Sequence, residues 1–442
     1  MLILYSLALL LVLILGAPWW LFRMATSGKY REGLSERLGI VPQRILDPLD
    51  GRKVVWVHAV SVGEVLAASR LIDELGARLA QATDEPEGNA WRVMVSTTTR
   101  SGQALAVQRF GADRVFYFPL DLGWTVRAWL QALRPQVLVL METEFWPRML
   151  VECRRRSIPV AVVNARISDR SWPRYRRLVW VWRRLLRNLR LVLAQSELDA
   201  ERLRFLGAGD VRLGGNLKYD VRATGSSTMV ALLRDHLPPV APVLVCGSTL
   251  AGEEELVLNA LPAGVVTILA PRHPERFGEA AAILQRRGAR WVRRSQWAQS
   301  PTSLEPGTIF LLDSIGELAS VYALAHAAFI GGSLVPAGGH NPLEAAQFGV
   351  PVIMGPSYEN FRGIVEKLHE REAIRIVQPG ELKTALAVLA SGTPEPIAMG
   401  ARSRQVFESE AGATERALQA LMEIIRPPRS ADQRSKPQEA RA

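Results

Sequence analysis

Glu64 stands in the stretch VHAVSVGEV, just past the apolar run Val54 to Val57 that reads as a buried strand. Open α/β sheets bind ligands at the carboxyl ends of their strands, and a carboxylate placed there could take a proton from a substrate hydroxyl. The same residues also fit a capping box, with Ser61 as N-cap and Glu64 folding back onto its amide, which needs no function. Three loops later in the chain offer anion chemistry. Pro271 and Arg272 in APRHPER follow the run VVTIL, so a forked guanidinium and the His273 imidazole stand at another strand end. Gly316, Glu317 and Leu318 follow TIFLLD, where Ser314 and Glu317 repeat the capping pattern. Asn341, Pro342, Leu343 and Glu344 follow the turn GGSLVPAGGH; Asn341 reads as an N-cap, Pro342 as the first helical residue and Glu344 as a third-position carboxylate. Gly331, Gly332, Gly338 and Gly339 would let backbone approach a ligand, an open helix N-terminus would offer amides to a phosphate, and a carboxylate could take a ribose diol. A simple tight turn is the alternative.

Other chemistries lack their residues. Cys153 and Cys246 are the only cysteines, without a CxxC pair or clustering with the six histidines, so no disulfide framework or zinc site is expected and a reducing compartment fits. There is no GxxxxGK[ST], no GxGxxG in a strand-turn-helix setting and no DxD. No metal and no cofactor are expected.

The elements that must position these residues alternate. VVWVHAV, WRVMVST, DRVFYFPL, QVLVLME, IPVAVVNA and LRLVLAQ read as strands separated by helix-length segments, which argues for a parallel sheet with crossover helices. PVLVCGS, GVVTILAP, GTIFLLD, AAFIGGS and VPVIMGP repeat that architecture after a turn-rich stretch. The fold class expected is α/β, with two Rossmann-like domains facing a central cleft lined by strand carboxyl ends. The first domain is placed at 51–221 and the second at 242–426, with a linker at 222–241 between them, a connector at 23–50 and a disordered polar tail at 427–442.

Residues 1–22, MLILYSLALLLVLILGAPWWLF, carry no charged side chain and are long enough to cross most of a bilayer as a helix. Trp19 and Trp20 suit the interface, and Arg23, Lys29 and Arg31 would hold the chain beyond them in the cytoplasm. The first base lies beyond the apolar run, unlike a cleaved signal peptide. A single-pass anchor is expected, with a buried helix as the alternative. The net charge is +11, and the segment from Arg148 to Arg190 alone carries thirteen arginines against Glu152 and Asp169. Within it Leu178, Trp182, Leu185 and Leu189 fall at helical spacing, while Arg176, Arg183, Arg187 and Arg190 share another face. Such a helix suits an anionic membrane surface. No nucleic-acid motif accompanies it, so nucleic acid is not expected as a partner. A solvated basic face is the other reading.

With VHAVSVGEV, METEFWP, NARISDRS, GNLKYD, APRHPER and GGSLVPAGGHNPLEAAQFGVPVIMGP in this order, the chain resembles the 3-deoxy-D-manno-octulosonic acid (Kdo) transferases of Gram-negative bacteria from the apolar N-terminus to about residue 425. The resemblance implies a GT-B glycosyltransferase on the cytoplasmic face of the inner membrane that moves Kdo from CMP-Kdo to lipid IV(A), a lipid A precursor, in lipopolysaccharide synthesis. It also implies Glu64 as proton acceptor, and CMP contacts at Pro271, Arg272, Gly316, Glu317, Leu318, Asn341, Pro342, Leu343 and Glu344. The mechanism implied is direct displacement with inversion. Glu142, Glu144, Arg166 and Lys218 lie in matching motifs without an assigned role. A GT-B transferase using a UDP-sugar on a lipid-linked precursor, or a membrane-tethered nucleotide-binding scaffold without catalysis, is the alternative.

Overall fold

The computed structural model describes residues 2–27, 31–81 and 91–426; the expected tail at 427–442 and Lys29 lie outside them. Two units emerge. The first runs to Val221 and takes the chain back from Ala411, and the second is Arg222–Glu410.

In the first unit, seven parallel strands lie in the order β3-β2-β1-β4-β5-β6-β7. They are β1 Lys53–His58, β2 Trp91–Thr97, β3 Val115–Tyr117, β4 Val137–Met141, β5 Val160–Ala165, β6 Leu191–Ala194 and β7 Val211–Leu213. The strand order reverses at β1, whose Val55 pairs with Val93 on one side and Val137 on the other. Helices cover both faces, so β4 and β5 are buried along their whole length and read as unbroken apolar runs. The helix Val62–Gln81 follows β1 and packs Val65, Ala68, Leu71, Ile72, Leu75 and Leu79 onto one face of the sheet, at the spacing of a helix stripe.

The closing helix Ala413–Ile425 completes that face with Ala417, Leu418 and Leu421. Placing it in the second domain is therefore corrected. Asp220 explains the return: its carboxylate accepts the Gly412 amide at 2.6 Å and the Thr414 amide, capping the helix onto the first unit.

The second unit repeats the architecture in the order β10-β11-β9-β8-β12-β13-β14. Its strands are β8 Val243–Thr249, β9 Val266–Pro271, β10 Trp291–Arg293, β11 Ile309–Leu311, β12 Ala327–Ile330, β13 Val352–Met354 and β14 Arg375–Ile376. The stretch 222–241, expected as a linker, belongs to this unit. It holds the helix Thr228–His236, capped by the Ser227 hydroxyl, and its start is tied in where the Ala223 amide donates to Gln347 Oε1 at 2.9 Å.

One further expectation finds no support and another is corrected. Leu2–Ser27 is helical, yet among the described residues no helix is long and apolar enough to cross a membrane. The arginine-rich segment is two helices, Trp172–Arg177 and Val179–Leu186, broken at Leu178. Leu185 and Leu189 are buried while Leu178 is exposed, so the apolar stripe does not run unbroken. Arg176, Arg183, Arg187 and Arg190 are all exposed.

Candidate functional site

Glu64 lies in the first turn of the helix after β1. Its Oε2 accepts the Val60 amide at 2.9 Å, and its Oε1 accepts the Ser61 hydroxyl at 3.0 Å. The cap read from the sequence thus exists in modified form, with the carboxylate reaching Val60 rather than the Ser61 amide. A second feature sets this carboxylate apart. Burial pushes its pKa up to about 7, and Glu142 and then Glu144 push in the same direction, against the two hydrogen bonds. An ordinary glutamate is fully ionised at neutral pH; this one is poised to give and take a proton there.

Glu142 and Glu144 come from the loop after β4. Burial and Glu142 raise the pKa of Glu144 as well. Lys218, from the 3-10 turn Leu217–Asp220, brings its Nζ to 3.9 Å from Glu142 Oε1. Beneath Glu64 the strand ends on His58, wholly buried and stacked on Phe118 at 3.9 Å, with Nδ1 3.0 Å from Ser96 Oγ. Burial holds its imidazole neutral, with a pKa lowered to about 3, so His58 is a packed core residue.

In the second unit, the loops singled out in the sequence meet at the carboxyl ends of neighbouring strands. Pro271 closes β9, and the Arg272 amide donates to Thr249 at the end of β8, leaving the guanidinium exposed. Arg272 acts on residues after β12. His340 is pushed down to about 4 by burial and then by the positive Arg272 and His273, while Glu344 is raised by burial against the opposing pull of Arg272 and Asn341. Arg272, His273, His340 and Glu344 therefore share one neighbourhood. The short helix Leu318–Val321 contacts the short helix Leu343–Ala346. Gly316 has φ +91, and Glu317 accepts Arg294 at 2.5 Å and the Ser314 hydroxyl. Pro342 and Leu343 are buried, which leaves only their backbone for a ligand, and the Leu343 amide is already spent on Asn341 Oδ1 at 3.1 Å.

The glycine-rich loop departs from expectation. Its amides do not lie open for a phosphate: Gly331 donates to Gly247, Gly338 to the Ser357 hydroxyl and Gly339 to Gly332. The amides of Gly332, Ser333 and Leu334 converge on Glu253 at 2.6, 2.9 and 2.9 Å, and Leu250 donates to the same carboxylate at 2.9 Å. Glu253 is fully buried, so the protein supplies its own anion to this nest. Glycine at 331 answers to sterics, since a Cβ there would lie 2.5 Å from the Ser248 carbonyl oxygen. Sequence reading missed Glu253, because nothing in GEEE marks which glutamate meets the loop amides. Among the described residues no cluster of His, Cys, Asp or Glu is arranged to hold a metal ion.

A family model described as 3-deoxy-D-manno-octulosonic-acid transferase (kdotransferase) matches residues 32–221. The chain is 32% identical to the 3-deoxy-D-manno-octulosonic acid transferase of Haemophilus influenzae, over 91% of this chain and 92% of that one. It is 34% identical to the protein of the same name from Bordetella pertussis, over 91% and 94%. Among solved structures, MurG of Acinetobacter baumannii superposes with a TM-score of 0.51 at 14% identity, covering 84% of this chain and 99% of that one. That last likeness concerns the fold, two parallel-sheet α/β units resembling GT-B glycosyltransferases.

Proposed function

The chain belongs to the 3-deoxy-D-manno-octulosonic acid transferase family and moves Kdo in lipopolysaccharide synthesis, and from that premise we propose that it carries Kdo from CMP-Kdo to lipid IV(A) with Glu64 as proton acceptor. The observation that carries the reading is the state of Glu64: a glutamate at a strand's carboxyl end, among other carboxylates, with a pKa of about 7. A base of that strength is matched to neutral pH, where a group gains most from taking a proton in the transition state. An acceptor hydroxyl attacks the anomeric carbon of Kdo as its proton passes to Glu64. The bond from that carbon to the CMP phosphate oxygen breaks in the same step, with inversion, and CMP leaves with the electron pair.

The second unit receives the nucleotide. Arg272 offers its exposed fork to the phosphate and offsets the charge that develops on the leaving oxygen. Glu344 and Asn341 suit the ribose hydroxyls, and Gly316 to Leu318 border the same neighbourhood. With the glycine-loop amides taken by Glu253, Ser357 and backbone carbonyls, charge stabilisation falls chiefly to Arg272.

Membrane association belongs to this reading, on the cytoplasmic face of the inner membrane. Leu11, Val12, Ile14 and Leu15 of the first helix are each more than half exposed, which favours lipid around them. The exposed arginines of residues 174–190 add attraction to anionic headgroups, about 1 kcal/mol each near such a surface. Incubating the purified protein with CMP-Kdo and lipid IV(A), and reading products by mass spectrometry, tests the assignment. Added Kdo supports it; transfer from a UDP-sugar alone, or nucleotide binding without transfer, overturns it.

A further inference from the structure

Direct displacement by a Glu64-activated hydroxyl leaves unused the charged groups that surround the base. Glu142, the first residue past β4, has φ +54, in the left-handed region that a residue with a Cβ seldom enters. Its amide is held there by the Val163 carbonyl at 2.9 Å. In the neighbouring strand, Asn164, one residue before the end of β5, is left-handed too, at φ +61. Asn164 Oδ1 accepts the Leu217 amide at 3.1 Å and Asn216 Oδ1 accepts the Lys218 amide at 3.0 Å, so two side chains fix the turn that carries Lys218. Asp220 anchors the other end of that turn through the Gly412 and Thr414 amides. Two left-handed residues at neighbouring strands and a pinned turn thus hold an ammonium 3.9 Å from a carboxylate whose charge acts on Glu64. Backbone strain kept at adjacent strand ends marks a place where side-chain direction matters.

We infer that Glu142 is a positioning residue for Glu64, governing when the base gives up its proton, and that Lys218 sets how strongly Glu142 acts. This rests on Glu64 being the proton acceptor. A carboxylate near Glu64 opposes its ionisation, which makes the ionised form a stronger base toward the attacking hydroxyl. The ammonium of Lys218 offsets part of that effect. Burial remains the larger cause of the raised proton affinity of Glu64, with Glu142 next and Glu144 behind it. Of the other charges on elements packed against this helix, Asp220 acts on Arg70, under two turns on from Glu64, while Arg109 meets Asp73 and Glu415 meets Arg78, about two and a half and four turns on.

The test is the pH dependence of kcat/KM, whose acidic limb reports the ionisation of Glu64 in the free enzyme. In Glu142→Gln the limb moves down by about one pH unit, and in Lys218→Met it moves up. Lys218→Arg restores the wild-type limb. Opposite shifts from the two variants support the inference, since a pair that served only to hold the fold would lower turnover in both and leave the limb in place. That second result overturns it. Should either variant turn over too slowly to profile, carbon-13 titration of the Glu64 carboxyl reads the same shift, and an unmoved midpoint overturns the inference just as directly. If Glu64→Gln keeps its turnover, it is the proton-acceptor reading that falls, whereas the carboxyl titration still reports whether Glu142 and Lys218 act on Glu64.

Discussion

Glu64 in the first unit and Glu253 in the second both fold a carboxylate back onto backbone amides where a strand hands over to a helix. Glu253 accepts four amides and is wholly buried, so its lone pairs are consumed by the loop it organises. Glu64 accepts one amide and one hydroxyl, stays partly open, and faces Glu142 and Glu144. Four amide donors favour the charged form of a carboxylate; burial beside like charges disfavours it. Residue type and capping pattern are therefore shared, and the neighbours decide which glutamate holds a fold and which handles a proton.

Breaking the structural side of this comparison has the largest expected effect. Glu253→Ala leaves four backbone donors without their acceptor and costs the second unit on the order of 4 kcal/mol. A melting curve in which that unit unfolds well below its wild-type temperature checks this. Next, Arg272→Ala removes a charged donor from the proposed phosphate site and weakens CMP binding by about 2 kcal/mol, roughly 30-fold, by calorimetry. Glu344→Gln weakens it less, because the carboxyl is raised and partly held by Asn341.

On the other side, Glu64→Gln stabilises the protein at alkaline pH. A carboxyl whose folded pKa is about 7 binds its proton more tightly than in the unfolded chain, so its favourable contribution is complete below about 4.5 and is lost as pH rises through 7. Gln escapes that loss, and the variant gains about 2 kcal/mol at pH 8 and nothing at pH 4 by denaturant unfolding. Ser61→Ala has the smallest effect. It removes one of the two hydrogen bonds to the carboxylate, costs about 1 kcal/mol and raises the acidic limb of activity.

Interior strands were legible because burial on both faces makes them unbroken apolar runs. The strands missed in the sequence, β7, β10 and β14, are all edge strands. Arg212, Arg293 and Arg375 sit in them, and a strand of two or three residues with one open side carries little pattern. The return of the last helix to the first unit could not be read either, since it depends on Asp220 meeting amides 192 and 194 residues away. Glu64 was legible as a strand-end carboxylate, but its neighbours were not, because Glu142 approaches through a left-handed backbone that no local motif announces. The glycine loop misled for a related reason: three of its open-looking amides are filled by a glutamate about eighty residues earlier.

The role of Glu64 is tested most directly by the rate at which Glu64→Gln transfers Kdo, measured beside its affinity for CMP. Transfer should fall by about 10²- to 10⁴-fold while the folded variant binds CMP as the wild type does. Near-normal transfer by that folded variant would make Glu64 a structural cap of the same kind as Glu253.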